Sequence, residues 1–218
     1  MLQSFQLAIS DNLGSVTAEL INSDHIHAVM TLAHGAGAGM NHSFMIDLAH
    51  ELADLGIATL RFNFPYMENK KKRPDVPAIA QKTIDMAVQK AHSLFPNKPL
   101  WVAGKSFGGR MSSQYLAAHS STVVKGVVFF GFPLHPAGKP SIDRAEHLKS
   151  ITHPMLFLQG TKDALAELDL IEKVVEELPL ATLVKFNGAD HAFKSGKLNL
   201  IPLLAQTSND WLVNQLKK

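Results

Sequence analysis

The chain has 218 residues, 46% of them hydrophobic and 18% charged, which suits one domain over residues 1–218 with a sizeable buried core. Net charge is +2 with acids and bases interspersed, so no basic face points to nucleic acid, and no apolar run approaches the ~20 residues of a membrane span. There is no cysteine, which excludes disulfides and thiolate chemistry.

The opening "MLQSFQLAIS" lacks a cationic start followed by an apolar core, so a cytoplasmic protein without membrane partners is expected. "FQLAI" (Phe5–Ile9) and "VTAELI" (Val16–Ile21) flank the turn signal Asp11-Asn12-Leu13-Gly14 and read as an antiparallel edge hairpin. "IHAVMTLAH" (Ile26–His34) reads as a strand, followed by a helix from about His42 to Leu55 and the strand "IATLRF" (Ile57–Phe62). A long loop follows, in which the run Lys70–Arg73 reads as solvated. A helix over about Asp75–Leu94 leads into the strand "PLWVAG" (Pro99–Gly104). Later strands are Val124–Gly131, Met155–Gly160 and Thr182–Phe186. Helices are expected at about Ala164–Leu178 and Leu203–Leu216.

The near-continuous apolar character of these strands fits a mostly parallel sheet covered on both faces. About eight strands and five or six helices make a three-layer α/β fold, in which reactive residues gather at the carboxyl ends of the strands.

"VAGKSFGGR" stops one such strand around a lone serine. Gly104-Lys105-Ser106-Phe107-Gly108 matches G-x-S-x-G between a strand and a helix, the setting of a nucleophile elbow. A serine needs a base, and the base an orienting acid. Asp163, in "LFLQGTKDAL", and His191, in "FNGADHAF", each follow a strand, and the order Ser106, Asp163, His191 is that of a hydrolase triad. Asp190 adjoins His191 too closely to serve it and reads as a turn residue. The small residues of "LAHGAGAGM" (Leu32–Met40) let a backbone loop approach a ligand closely. The N–H groups of Ala36 and Phe107 are paired as the oxyanion hole, with His34 bracing the loop. Spacing in this loop does not match a dinucleotide fingerprint. His25 and His27 would share a strand face, but lack further ligands; no metal and no cofactor are assigned.

With "HGAGAGM", "LRFNFPY", "GKSFGGRMSS", "GFPLHPAGKP", "LFLQGTKD" and "GADHAF" in order, the chain resembles the α/β-hydrolase superfamily in its dienelactone-hydrolase-like branch. It looks closest to the group that includes testis-expressed protein thirty and subunit three of the non-specific lethal complex. The resemblance implies Ser106, Asp163 and His191 as the triad and marks His135 as a residue near the site. Dienelactone hydrolases proper use a cysteine nucleophile, which this chain lacks, so their substrate does not carry over.

The expected activity is that of a serine hydrolase on a small ester, thioester or related acyl compound. The alternative is a protein-interaction module that keeps the fold. No stretch is long enough for a helical cap; the irregular segment after Gly131 with its three prolines suits a loop. An open, shallow site with Met40, Asn63, Phe64 and His135 at its rim, and a preference for short acyl groups, is therefore expected.

Overall fold

Strand β1 (Leu2–Ser10) turns back into β2 (Gly14–Ile21), and this antiparallel hairpin forms one edge of an eight-stranded sheet. The structure, a computed structural model, describes residues 1–119 and 123–217. The other six strands run parallel to one another: β3 (Ala28–Ala33), β4 (Ile57–Phe62), β5 (Leu100–Lys105), β6 (Val124–Phe130), β7 (Met155–Gly160) and β8 (Ala181–Phe186). Their order in the sheet is β1-β2-β4-β3-β5-β6-β7-β8. Strand β3 is thus flanked by β4 on one side and β5 on the other, so the connections leaving β3 and β5 diverge. Such a switch point opens a crevice at the carboxyl edge.

The apolar runs are buried on both faces: all six residues of β3, β4 and β7 are buried. One face packs against α1 (Ser43–Asp54) and α6 (Ile201–Gln215), through Met45, Leu48, Leu52, Leu204 and Leu212. The other meets the short α2 (Pro65–Glu68), α3 (Pro77–Leu94), α4 (Phe107–Ala118) and α5 (Leu168–Glu176). His42 caps α1 with its side chain, which accepts from the Phe44 N–H. Prolines at the first turns of α3 and α6 suit positions whose N–H would be unpaired anyway.

The irregular segment after Gly131 carries a 3₁₀ stretch at Asp143–Ser150 whose Ala145 and Leu148 are buried. It lies on α4. Among the described residues there is no large cap. Two features lie outside the sequence-based elements, α2 and a small hairpin of β9 (Lys194–Ser195) and β10 (Leu198–Asn199). Strand β3 begins at Ala28, so His25 and His27 stand in the turn before it rather than on a strand face. Asn69–Arg73 are exposed, as a solvated run should be. Among the described residues no helix is long and apolar enough to cross a membrane.

Candidate active site

Register brings the ends of the parallel strands level: Ala33 pairs with Gly104, Lys105 with Phe130, and Gly160 with Phe186. The residues that follow these ends therefore share one edge. Ser106 sits between β5 and α4 at φ 51°, ψ −114°, a region a non-glycine residue occupies only under constraint. The constraint is steric. A Cβ on Gly104 would run into the backbone of Gly108 and Gly109, and one on Gly108 into the carbonyls of Ala33 and His34. Bare glycines let α4 start directly against the sheet. Ser106 occupies the N-cap position of α4, yet its hydroxyl makes no capping bond. It lies 2.8 Å from His191 Nε2 instead.

His191 follows β8, and its Nδ1 lies 2.7 Å from Asp163 Oδ2. The Asp163 side chain is wholly shielded from solvent. It accepts from Gln159 Nε2 at 2.6 Å and from the Leu165 N–H at 2.8 Å. An ionised carboxylate can only accept, so the imidazole proton stands on Nδ1 and the Nε2 lone pair faces the Ser106 hydroxyl. Asp190 takes the turn role expected of it: its Oδ1 accepts from the N–H groups of Ala192 and Lys194. Asp163 does not cap α5, whose N-cap is Glu167. The acid and base loops are brought together at Gly160, where a Cβ would strike the Ala189 carbonyl and stand 2.7 Å from that of Asp190.

Across the crevice the loop after β3 runs beside Ser106, with Gly35 against the serine and Gly37 at φ 79°. Neither the Ala36 nor the Phe107 N–H donates to a described residue, and Phe107 opens α4, where the first N–H groups have no intrahelical acceptor. Several other polar groups of the loop and its flanks are tied down. His34 Nδ1 donates to the Gly35 carbonyl at 2.8 Å, while its Nε2 accepts from the Phe64 N–H at 3.1 Å. Burial lowers the His34 pKa to about 4, so the ring stays neutral and fills both roles. Arg61 donates to the Met40 carbonyl at 2.6 Å and pairs with Glu19 at 2.8 Å. Asn63 Oδ1 accepts from the Met40 N–H at 3.0 Å, and the Tyr66 hydroxyl reaches the Gly35 carbonyl at 3.4 Å. The stretch "LRFNFPY" is thus the brace of the glycine-rich loop.

Residues 26–201 match the family model described as an alpha/beta hydrolase domain. The chain belongs to that family. Its fold is similar to a serine hydrolase without a lid from Xanthomonas campestris, at 20% identity and TM-score 0.75, covering 96% of this chain and 94% of that one. An alpha-beta serine hydrolase homologue from Coxiella burnetii is similar at 21% identity and TM-score 0.76 over 94% and 96% of the two chains. A dienelactone hydrolase from Anabaena variabilis shares 18% identity at TM-score 0.76 over 98% of each.

In this alpha/beta hydrolase the rim differs from the sequence-based expectation. Met40, Phe64 and His135 are buried, at 1%, 0% and 1% exposure, and Asn63 is engaged with Met40 and Glu68. Phe64 packs edge-on against Phe107 and His34. His135 accepts from the Glu167 N–H through Nε2 and donates to the Pro136 carbonyl through Nδ1. It fastens the loop after β6 to the start of α5. The opening lies on the other side of Ser106, between the start of α1 and the β9–β10 hairpin. It is a cleft of about 480 Å³ whose floor holds Ser106, Lys105 and His191, and whose apolar walls include Phe44, Phe193, Leu198 and Ile201. That is a pocket of ligand size and not a shallow depression. Among the described residues no group of three or more His, Asp or Glu side chains converges as a metal would require.

Proposed function

We propose that this protein is a serine hydrolase that cleaves a small carboxylic ester, thioester or related acyl compound. The observation that carries the reading is the unbroken hydrogen-bonded line from Asp163 through His191 to the Ser106 hydroxyl, at 2.7 and 2.8 Å. Ser106 Oγ attacks the carbonyl carbon as its proton passes to His191 Nε2. Asp163 holds the Nδ1 proton and stabilises the imidazolium that forms. The carbonyl oxygen becomes an oxyanion facing the Ala36 and Phe107 N–H groups. Collapse breaks the bond to the alcohol or thiol, which leaves with the proton from His191, and Ser106 keeps the acyl group. Water, deprotonated by His191, then attacks the acyl-serine, and the acid departs as the proton returns to Ser106. The balance needs no cofactor and no co-reactant but water.

The resemblance to the group of testis-expressed protein thirty and the non-specific lethal complex subunit keeps a second reading, an interaction module that retains the fold. A fluorophosphonate probe separates the two. Native protein should be labelled at Ser106, with the adduct found by peptide mass spectrometry, and heat-unfolded protein and Ser106→Ala should not. Native protein that stays unlabelled would leave the interaction module as the better account.

A further inference from the structure

Lys105, the residue between Gly104 and the serine, takes no part in the steps above. It belongs to the same face of β5 as Trp101 and Ala103, because side chains alternate along a strand, and that face is the one covered by α1 and α6. The side chain therefore runs along the floor of the cleft. Its Cγ passes 3.7 Å from where a Gly35 Cβ would stand, and its Nζ lies 3.2 Å from the corresponding point on Gly131. The ammonium donates to the backbone carbonyl of His191. It also sits 5.4 and 5.9 Å from the ring centres of Phe193 and Phe44. One side chain thus spans from the glycine-rich loop to the histidine loop, directly beneath the line of transfer.

We infer that Lys105 is a positioning residue: its charged donor anchors the His191 carbonyl, holding the imidazole between Asp163 and Ser106. The inference rests on the reading of those three residues as the reacting line. The rest of the loop is fastened on both sides of the histidine, by the Lys162 N–H on the Ala189 carbonyl and by Asp190, which gathers the Ala192 and Lys194 N–H groups, while Lys105 fixes the His191 carbonyl itself. A shift of the His191 carbonyl would tilt the ring off the reacting line, and small displacements of a reacting group are expensive in rate.

The environment makes the tether sensitive to pH. Burial lowers the Lys105 pKa to about 8, with Asp163 and Asp190 opposing the shift. The titratable groups around it are Asp163 at the end of β7, Asp190 and His191 in the histidine loop, His42 at the start of α1, and Lys194 and Lys197 by the hairpin. Deprotonation weakens the bond to the carbonyl, since a charged donor holds an acceptor roughly twice as strongly as a neutral one.

Lys105→Met keeps the stem along the floor and removes both donor and charge. Its kcat on a p-nitrophenyl ester should fall by roughly 10- to 100-fold at pH 7 with KM changed by less than about threefold. Wild-type kcat/KM should decline on the alkaline side with an apparent pKa near the 8 of Lys105, and the variant should lack that limb. A merely structural stem would leave that limb in place. A variant with wild-type kcat and the alkaline limb in place overturns the inference. If Lys105→Met melts too low to assay, the wild-type profile decides alone, and a flat kcat/KM between pH 7 and 9.5 overturns it. Ser106→Ala, run beside it, separates the two readings: activity that survives Ser106→Ala defeats the reacting line itself. Activity that needs Ser106 but ignores Lys105 defeats only the tether.

Discussion

His34 links proton binding to the shape of the site, and the size of that link follows from its burial. The ring is 0% exposed, donates to Gly35 and accepts from Phe64. Protonation would place a second N–H against the Phe64 N–H and a charge inside the core. The unfolded chain binds this proton near pH 6.5, and the folded protein only near 4. Between those values the unfolded state holds more protons, so stability falls as pH drops through the window and levels off below it. The full difference amounts to about 3 kcal/mol, and about 2 kcal/mol of it is lost between pH 7 and 5. His147 is lowered in the same direction, by burial first and by Arg110 second, so it contributes to the same slope in any His34 variant. The comparison to make is wild type against His34→Gln by urea unfolding, with tryptophan fluorescence at pH 7 and 5. Wild type should lose about 2 kcal/mol more on acidification than the variant, whatever the variant's stability at pH 7. Parallel losses would refute the assignment of a neutral, doubly bonded ring at this position. NMR titration of the His34 ring tests the same point without a mutation.

Asp163→Asn should lower kcat by roughly 10³-fold, because Oδ2 accepts from both Gln159 and His191 while Oδ1 accepts from the Leu165 N–H, and an amide with a single oxygen must turn its NH₂ onto one of these donors. Asp190→Asn keeps the accepting oxygen that the turn uses and should cost less than about fivefold; steady-state kinetics that rank the two the other way would move the acid to position 190. Gly160→Ala sets a Cβ against the Ala189 and Asp190 carbonyls, and should cost roughly 1–3 kcal/mol in stability with a tenfold or larger drop in kcat as the histidine loop is pushed away. A fully active, equally stable Gly160→Ala protein, by calorimetry and assay, would show that strand end to be looser than its contacts imply. Across p-nitrophenyl esters from acetate to octanoate, kcat/KM should rise by up to ~4-fold per methylene until the cleft is full; a maximum at acetate would restore the short-acyl expectation.

The elbow was legible because its constraint is local. Two residues without side chains on either side of a serine, at the end of an apolar run, already state that a helix must leave the strand at close quarters. The parallel strands were legible for a related reason, since burial on both faces leaves an unbroken apolar run that needs no partner to be recognised. Lys105 was not legible in this way. Its acceptor is the carbonyl of a residue 86 positions away, and a lysine at a strand end carries no mark of whether it meets solvent or the floor of a cleft. The β9–β10 hairpin escaped because strands of two residues have no period, and with it went the true wall of the opening.

The error at Met40, Asn63, Phe64 and His135 has a more general cause. Polar and aromatic residues at the carboxyl ends of strands read as a rim when only their position along the chain is known. A backbone loop that offers bare N–H groups to an oxyanion must have its own carbonyls and flanks held by something else, or it would turn those N–H groups inward and pair them. The holders have to come from the adjacent strand end, which here is Arg61, Asn63 and the Phe64 N–H. Charged and amide side chains one strand away from a glycine-rich loop are therefore better assigned as its fasteners than as substrate contacts. Apolar side chains from α1 and the hairpin, by contrast, face an open cleft beside the serine.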